Sequence, residues 1–117
     1  MRTAITLLLV ATSPALVAPV AAAQAECDPQ VLTSPTHFPT RSQVRGQEGT
    51  VFLEVRVDGS GRVSETQLLR SSGHGLLDRA AAASVRHGWV FDVSACERKD
   101  LPASDLITVE YRYDNAQ

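Results

Sequence analysis

The stretch "RSSGHGLLDRAAAASVRHGW", residues Arg70 to Trp89, admits two readings. Ser71 or Ser72, His74 and Asp78 are the residue types of a nucleophile, a base and an orienting acid. They are also what a strand needs to turn into a helix. Catalysis of this kind requires the base to bond the nucleophile while the acid holds its other ring nitrogen, which sequence proximity does not secure. No G-x-S-x-G elbow is present. The joint reading uses every residue: Ser71-Ser72-Gly73 closes a strand, and Asp78 falls in the first helical turn, near its positive end. Leu77, Ala80, Ala81, Ser84 and Val85 then repeat at i, i+3, i+4, i+7, i+8, one face of an amphipathic helix. Arg86 and His87 suit the helix's C-terminal end, and Gly88 is a fitting stop. The stretch reads as a joint, with no catalytic residues.

Upstream, "TVFLEVRV" alternates Val51, Leu53, Val55 and Val57 with Phe52, Glu54 and Arg56, a half-buried strand. Asp58 to Gly61, "DGSG", gives a hairpin turn. A second strand spans Arg62 to Ser71. Its apolar residues Val63, Leu68 and Leu69 break alternation, so a bulge or a departure from the sheet is expected. Downstream, Trp89, Val90 and Phe91 re-enter the core, and "DVSACERKDLPAS" is a polar loop. "LITVEYRY" alternates again, with Ile107, Val109, Tyr111 and Tyr113 on one face. Pro39 to Arg45 fits a short helix with proline in its first turn, ended by Gly46. Residues 26–38 read as an extended arm. The expected fold class is α+β: a small two-layer ββαβ domain, a short helix before it, and an antiparallel three-stranded sheet.

The beginning of the 117-residue chain has a different character. After Arg2, residues 3–25 carry no charge and end in Ala23-Gln24-Ala25, the pattern of a cleaved signal peptide. The run is also long enough for an uncleaved membrane anchor. Pro14, Pro19 and the alanine-rich end favour cleavage and an exported product; the alternative is a chain anchored in the membrane. Glu26 before Cys27 argues against lipidation. In an oxidising compartment, Cys27 and Cys96 suggest one disulfide between the arm and the loop before the last strand. Two free thiols, or a bridge between chains, are the other possibilities.

The formal net charge of −2 leaves no footprint for nucleic acid or anionic lipid. His37, His74 and His87 lie far apart, so no metal site is expected. No phosphate-cradling loop opens a helix. Neither a cofactor nor a small-molecule substrate is expected. What remains is recognition through the main chain. A terminal strand at a sheet edge offers amides and carbonyls to an extended guest, unless Glu110, Arg112 and Asp114 blunt that edge or it pairs with itself.

The chain resembles the C-terminal domain of TonB-type energy transducers. The resemblance rests on Phe38-Pro39 opening a short helix, then Ser42, Gly46 and Gly49. It continues through Val51, Asp58, Gly61 and Val63 of the strand and hairpin. Ser71, Ser72, Gly73, Leu77, Asp78, Ala80 and Ala81 form the helix start, and Trp89 and Phe91 follow. It covers Phe38 to Tyr113, dividing the chain into signal peptide (1–25), arm (26–38) and TonB C-terminal-like domain (39–117). It implies a non-enzymatic periplasmic module supporting transmembrane transport. Its last strand would pair with a short segment, the TonB box, of an outer-membrane transporter or another envelope protein. Phe38, Pro39, Ile107, Val109, Tyr111 and Tyr113 are then the partner-binding candidates, and a homodimer is a further possibility. Asp92 stands where the family has proline after W-x-F, and residues 3–25 lack the histidine of the family's membrane helix. If residues 3–25 are retained, the resemblance implies a membrane-anchored energy transducer instead.

Overall fold

In the computed structural model, which describes residues 27–115, the central strand is β2 (Gly49–Val57). It pairs antiparallel on one side with β3 (Val63–Arg70) and on the other with β5 (Ala103–Tyr111). Helix α2 (Gly75–Gly88) covers one face of this three-stranded sheet. The short helix α1 (Thr40–Val44) precedes β2, with Pro39 at its N-cap. The expected α+β class, antiparallel sheet and preceding helix are all present.

The alternation read from "TVFLEVRV" decides which way the sheet faces. Val51, Leu53, Val55 and Val57 are buried, and Leu77, Ala81 and Val85 meet them from the helix. Ile107, Val109 and Tyr111 complete the layer from β5, and Trp89 and Phe91 close it below the helix. Each fully buried aliphatic side chain contributes about 1.5–3 kcal/mol relative to an exposed one. A one-residue slip of β2 would turn the valines to solvent and Glu54 and Arg56 inward, which fixes the register.

The irregularity expected in the second strand takes the form of two bulges. Phe52 faces Arg70 while Leu53 faces Leu68, so Leu69 is the extra residue; Ser64 is another, between Glu65 and Val63. The hairpin is held by Asp58, whose carboxylate accepts the Ser60 hydroxyl at 2.5 Å and the Ser60 and Arg62 N–H groups at 2.9 and 3.1 Å. Gly61 adopts φ 80°, and a Cβ there would stand 2.2 Å from the Phe91 carbonyl oxygen. Only glycine lets the hairpin close so tightly on the chain after the helix.

Three segments depart from expectation. The arm is extended but not unpaired: β1 (Gln30–Thr33) forms a two-stranded antiparallel sheet with β4 (Val90–Asp92). The stretch read as a polar loop from Asp92 gives up both ends to strands and holds a 3₁₀ turn, Arg98–Asp100. β5 begins three residues earlier than the apolar pattern because nine-residue β2 templates it throughout, Val57 opposite Ala103 and Gly49 opposite Tyr111. The strand then ends at Tyr111, and Tyr113, expected on its buried face, lies in a following 3₁₀ turn (Tyr113–Asn115), half-exposed. The Tyr113 N–H donates to Glu48 at 3.0 Å, which turns the chain off the line of the strand. The expected leader, residues 1–25, lies outside the described residues. Among those residues no helix is long and apolar enough to cross a membrane.

The Cys27–Cys96 disulfide is formed, with its Cα atoms 5.0 Å apart and 69 residues of sequence separation. It pins the start of the arm to the loop beyond β4. Closing a loop of that length restricts the unfolded chain by roughly 4 kcal/mol. Replacing both cysteines by serine should therefore lower the unfolding free energy by up to about 4 kcal/mol in urea titrations, with the far-ultraviolet dichroism unchanged. A loss under about 1 kcal/mol would mean that the arm contributes little constraint.

Candidate functional site

The Ser/His/Asp stretch is assembled as a joint. The Asp78 carboxylate accepts three bonds from the turn before its helix: the Ser71 hydroxyl at 2.5 Å, the Ser72 N–H at 2.9 Å and the Ser72 hydroxyl at 2.7 Å. His74 enters through its backbone, its N–H donating to the Ser72 hydroxyl oxygen at 3.2 Å while the single proton of that hydroxyl goes to Asp78. The acid thus engages the serines directly, with no imidazole between them. Gly73, at φ 93°, makes the reversal of direction possible. Burial pushes the Asp78 carboxyl upward, but the hydrogen bonds from Ser71 and Ser72 outweigh it and hold the group below its ordinary value.

Strand β5 is an edge. It pairs with β2 alone, and no described strand lies beyond it. The phase of its hydrogen bonds follows from Leu106, whose N–H donates to the carboxylate of Asp105 at 2.9 Å rather than to β2. In an antiparallel ladder, alternate residues exchange both main-chain bonds with the same neighbour. Asp105, Ile107 and Val109 therefore bond to β2, while Ser104, Leu106 and Thr108 turn their amides and carbonyls outward. Their side chains lie on the sheet face opposite α2, where Leu106 is 70% exposed. Burial raises the Asp105 carboxyl, the Leu106 N–H opposes that, and the nearby Asp28 adds to the rise.

The residues singled out from sequence take up two different positions. Ile107, Val109 and Tyr111 are buried, with side chains under the helix and main chain committed to β2. Phe38 is partly buried and packs edge-on against Tyr111, ring centres 5.1 Å apart. The Tyr111 hydroxyl donates to the His37 carbonyl at 3.0 Å, and burial pushes that hydroxyl up to about 12. Phe38 and Pro39 thus fasten the arm and α1 beside the end of β5. Tyr113 stands just beyond the strand. Around that end, Glu48, Gly49, Thr50, Glu110, Tyr111 and Arg112 line a shallow hollow of about 240 Å³, and Glu110 pairs with Arg112 at its rim. The outward-facing Ser104, Leu106 and Thr108 were missed because the apolar pattern marks only the buried half of a strand.

A family model described as "Gram-negative bacterial TonB protein C-terminal" matches residues 34–113. The chain is 46% identical over 54 residues to protein tonB2 of Pseudomonas aeruginosa, covering 46% of this chain and 20% of that protein. It is 33% identical over 76 residues to protein TonB of Vibrio cholerae serotype O1, covering 65% of this chain and 30% of that protein. It therefore spans no more than a third of the length of these relatives. The solution structure of the Pseudomonas aeruginosa TonB C-terminal domain superposes with a TM-score of 0.52 at 23% identity, over 74% of this chain and 86% of that one. The chain belongs to the TonB C-terminal domain family.

Asp78 and His74 should separate in a mutational test. Asp78→Ala should lower stability by about 1–2 kcal/mol, three charge-assisted bonds discounted for their partial solvation. His74→Ala should stay within about 0.5 kcal/mol of the parent. Because the folded carboxyl lies below its unfolded value near 3.8, the Asp78 contribution should be complete above that pH. It should vanish as pH falls through the lower folded value. Urea titrations of both variants between pH 7 and pH 2 check this; a gap that persists at the acid end would refute it.

Proposed function

We propose that this member of the TonB C-terminal family is a binding module that takes up an extended segment of another envelope protein along the outer edge of β5. Main-chain bonds from Ser104, Leu106 and Thr108 supply the affinity, in the manner of strand addition to a sheet. The single observation that carries this reading is the outward phase of those residues on a strand paired along one side. Family membership supports the choice of guest: the TonB box of an outer-membrane transporter, with transport across that membrane as the process served. Phe38 and Pro39, fastened beside Tyr111, would bound the groove at the end of β5. The role is binding rather than catalysis, exercised from the periplasm after residues 1–25 are removed.

A second reading, the membrane-anchored transducer, turns on those same residues, since Thr3 to Ala25 is uncharged and long enough to span a bilayer. N-terminal sequencing of the exported protein should return Glu26 first. A chain that retains Arg2 would establish the anchored form.

Strand addition makes a test available that side-chain substitution does not. Proline removes one N–H, and on an edge strand it is tolerated where that N–H faces solvent. Thr108→Pro should leave the protein folded and weaken a TonB-box peptide at least about tenfold in amide-shift titrations, through loss of one main-chain bond and disturbance of its neighbours. Val109→Pro should instead disrupt the pairing with β2 and unfold the domain. Unchanged peptide affinity in folded Thr108→Pro, or no shifts along Ser104 to Thr108 in the parent, would sink the proposal.

A further inference from the structure

Of the outward amides on β5, the middle one is already engaged. Leu106 lies between Ser104 and Thr108, and its N–H donates to the Asp105 carboxylate at 2.9 Å. Asp105 itself sits opposite Val55, its main chain committed to β2 and its side chain half-buried. The carboxylate therefore stands over the rim from within the strand, where the carbonyl of an added strand would come. A bond to an ionised acceptor is roughly twice as strong as one between neutral groups. An incoming carbonyl thus offers Leu106 a weaker partner and strips the carboxylate of its donor. The surroundings act on the same charge. Burial disfavours it, and Asp28 of the arm repels it, so the carboxyl is raised although the Leu106 N–H opposes this. Asp28 is kept there by its neighbour Cys27, which is bonded to Cys96. On β2, Glu54 and Arg56 lie on the face opposite Val55, and α2 with its charges packs on β2 and β3. Among the described residues no lysine or arginine pairs with Asp105.

We propose that Asp105 is a proton-operated latch on the β5 edge: its carboxylate shields the Leu106 N–H from a guest strand, and its protonation releases that amide. This rests on the reading of β5 as the edge that takes up a guest. The direction of the pH effect follows from linkage. With a guest in place the carboxyl has lost the donor that favoured its ionised form, so it holds a proton more readily than in the free protein. Uptake of the guest is therefore coupled to uptake of a proton. Affinity rises as pH falls through the interval between the bound and free carboxyl values, both above the ordinary 3.8. Well above that interval the latch is closed and the edge is held against casual pairing.

Two measurements on the purified protein test this, and the first needs no guest. In a pH titration followed by amide shifts, the Leu106 N–H should move with the Asp105 carboxyl. Its hydrogen exchange at about pH 7 should be slower than that of Ser104 and Thr108, and Asp105→Ala should abolish both effects. The second measurement titrates a synthetic TonB-box peptide into parent and variant. At about pH 7, Asp105→Ala should bind it about tenfold more tightly than the parent, the equivalent of one charge-assisted bond no longer broken. At about pH 4 the difference should shrink to about threefold or less, and the peptide's own titration cancels from the comparison. A Leu106 amide that ignores the carboxyl and exchanges as fast as its neighbours would overturn the latch, whatever the peptide does. So would equal affinities of parent and Asp105→Ala at neutral pH. Peptide that binds neither protein at either pH would instead sink the guest reading, and the latch with it. Should Asp105→Ala lose its fold by circular dichroism, Asp105→Asn replaces it; without the charge it should likewise bind more tightly at neutral pH and lose the titration.

Discussion

Strand β2 is bonded on both sides and buried on one face, and every other element is placed by that double demand. Its four inward residues, Val51, Leu53, Val55 and Val57, are nearly or wholly removed from solvent. They can be so only while α2 lies across them and β3 and β5 flank them. With three strands in the sheet, one central strand necessarily makes two edges. The sheet cannot close into a barrel, which would need more strands, and among the described residues the strand segment beside its rims is β4, where Val90 bridges Arg62 just before β3. Two rims of main-chain groups are thus a consequence of how a fold of this size is built.

The joint at Ser71 to Asp78 serves the same requirement. A helix must leave the end of β3, reverse and cross the sheet, and its first turn must find partners for its amides and for the turn that precedes it. Asp78 supplies three acceptor contacts to that turn. At the other end of the domain the disulfide and the β1–β4 pair clamp the arm to the segment after the helix. Tyr111 performs a related task from the core, with its ring against Phe38 and its hydroxyl on the His37 carbonyl. The route of the arm to α1 is thereby fixed, and with it the wall beside the last residues of β5.

The two sheet edges differ in chemistry. On β5 the outward amide of Leu106 is occupied by the Asp105 carboxylate, a neighbouring acid that blunts the edge. On β3 the rim begins beside the segment after α2, where Arg62 bridges Val90, and Leu68 and Leu69 lie half-exposed farther along. Exposed edges usually carry a device against indiscriminate pairing, and here the devices are a carboxylate on one side and bulges on the other.

Much of the architecture was legible in the order of residues. The period of two in β2 and β5, the i, i+3, i+4 face of α2, the "DGSG" turn and the irregular second strand each rest on local chemistry, and each element formed. The Cys27–Cys96 bridge was one of the pairings left open, and the fold brought those two Cα atoms within 5.0 Å. Sequence could not supply β1 against β4, the early start of β5, or the departure of Tyr113 from the strand. These depend on Phe91, Val57 and Glu48, distant residues that pair with or capture the segment in question. Nor could it tell which main-chain groups of β5 face outward. In a strand, side chains alternate between faces while amides alternate between edges, so the apolar residues that reveal β5 are the ones whose main chain is spent on β2. The outward set, Ser104, Leu106 and Thr108, has no shared polarity to mark it; only the position of β2 decides that these amides point to water.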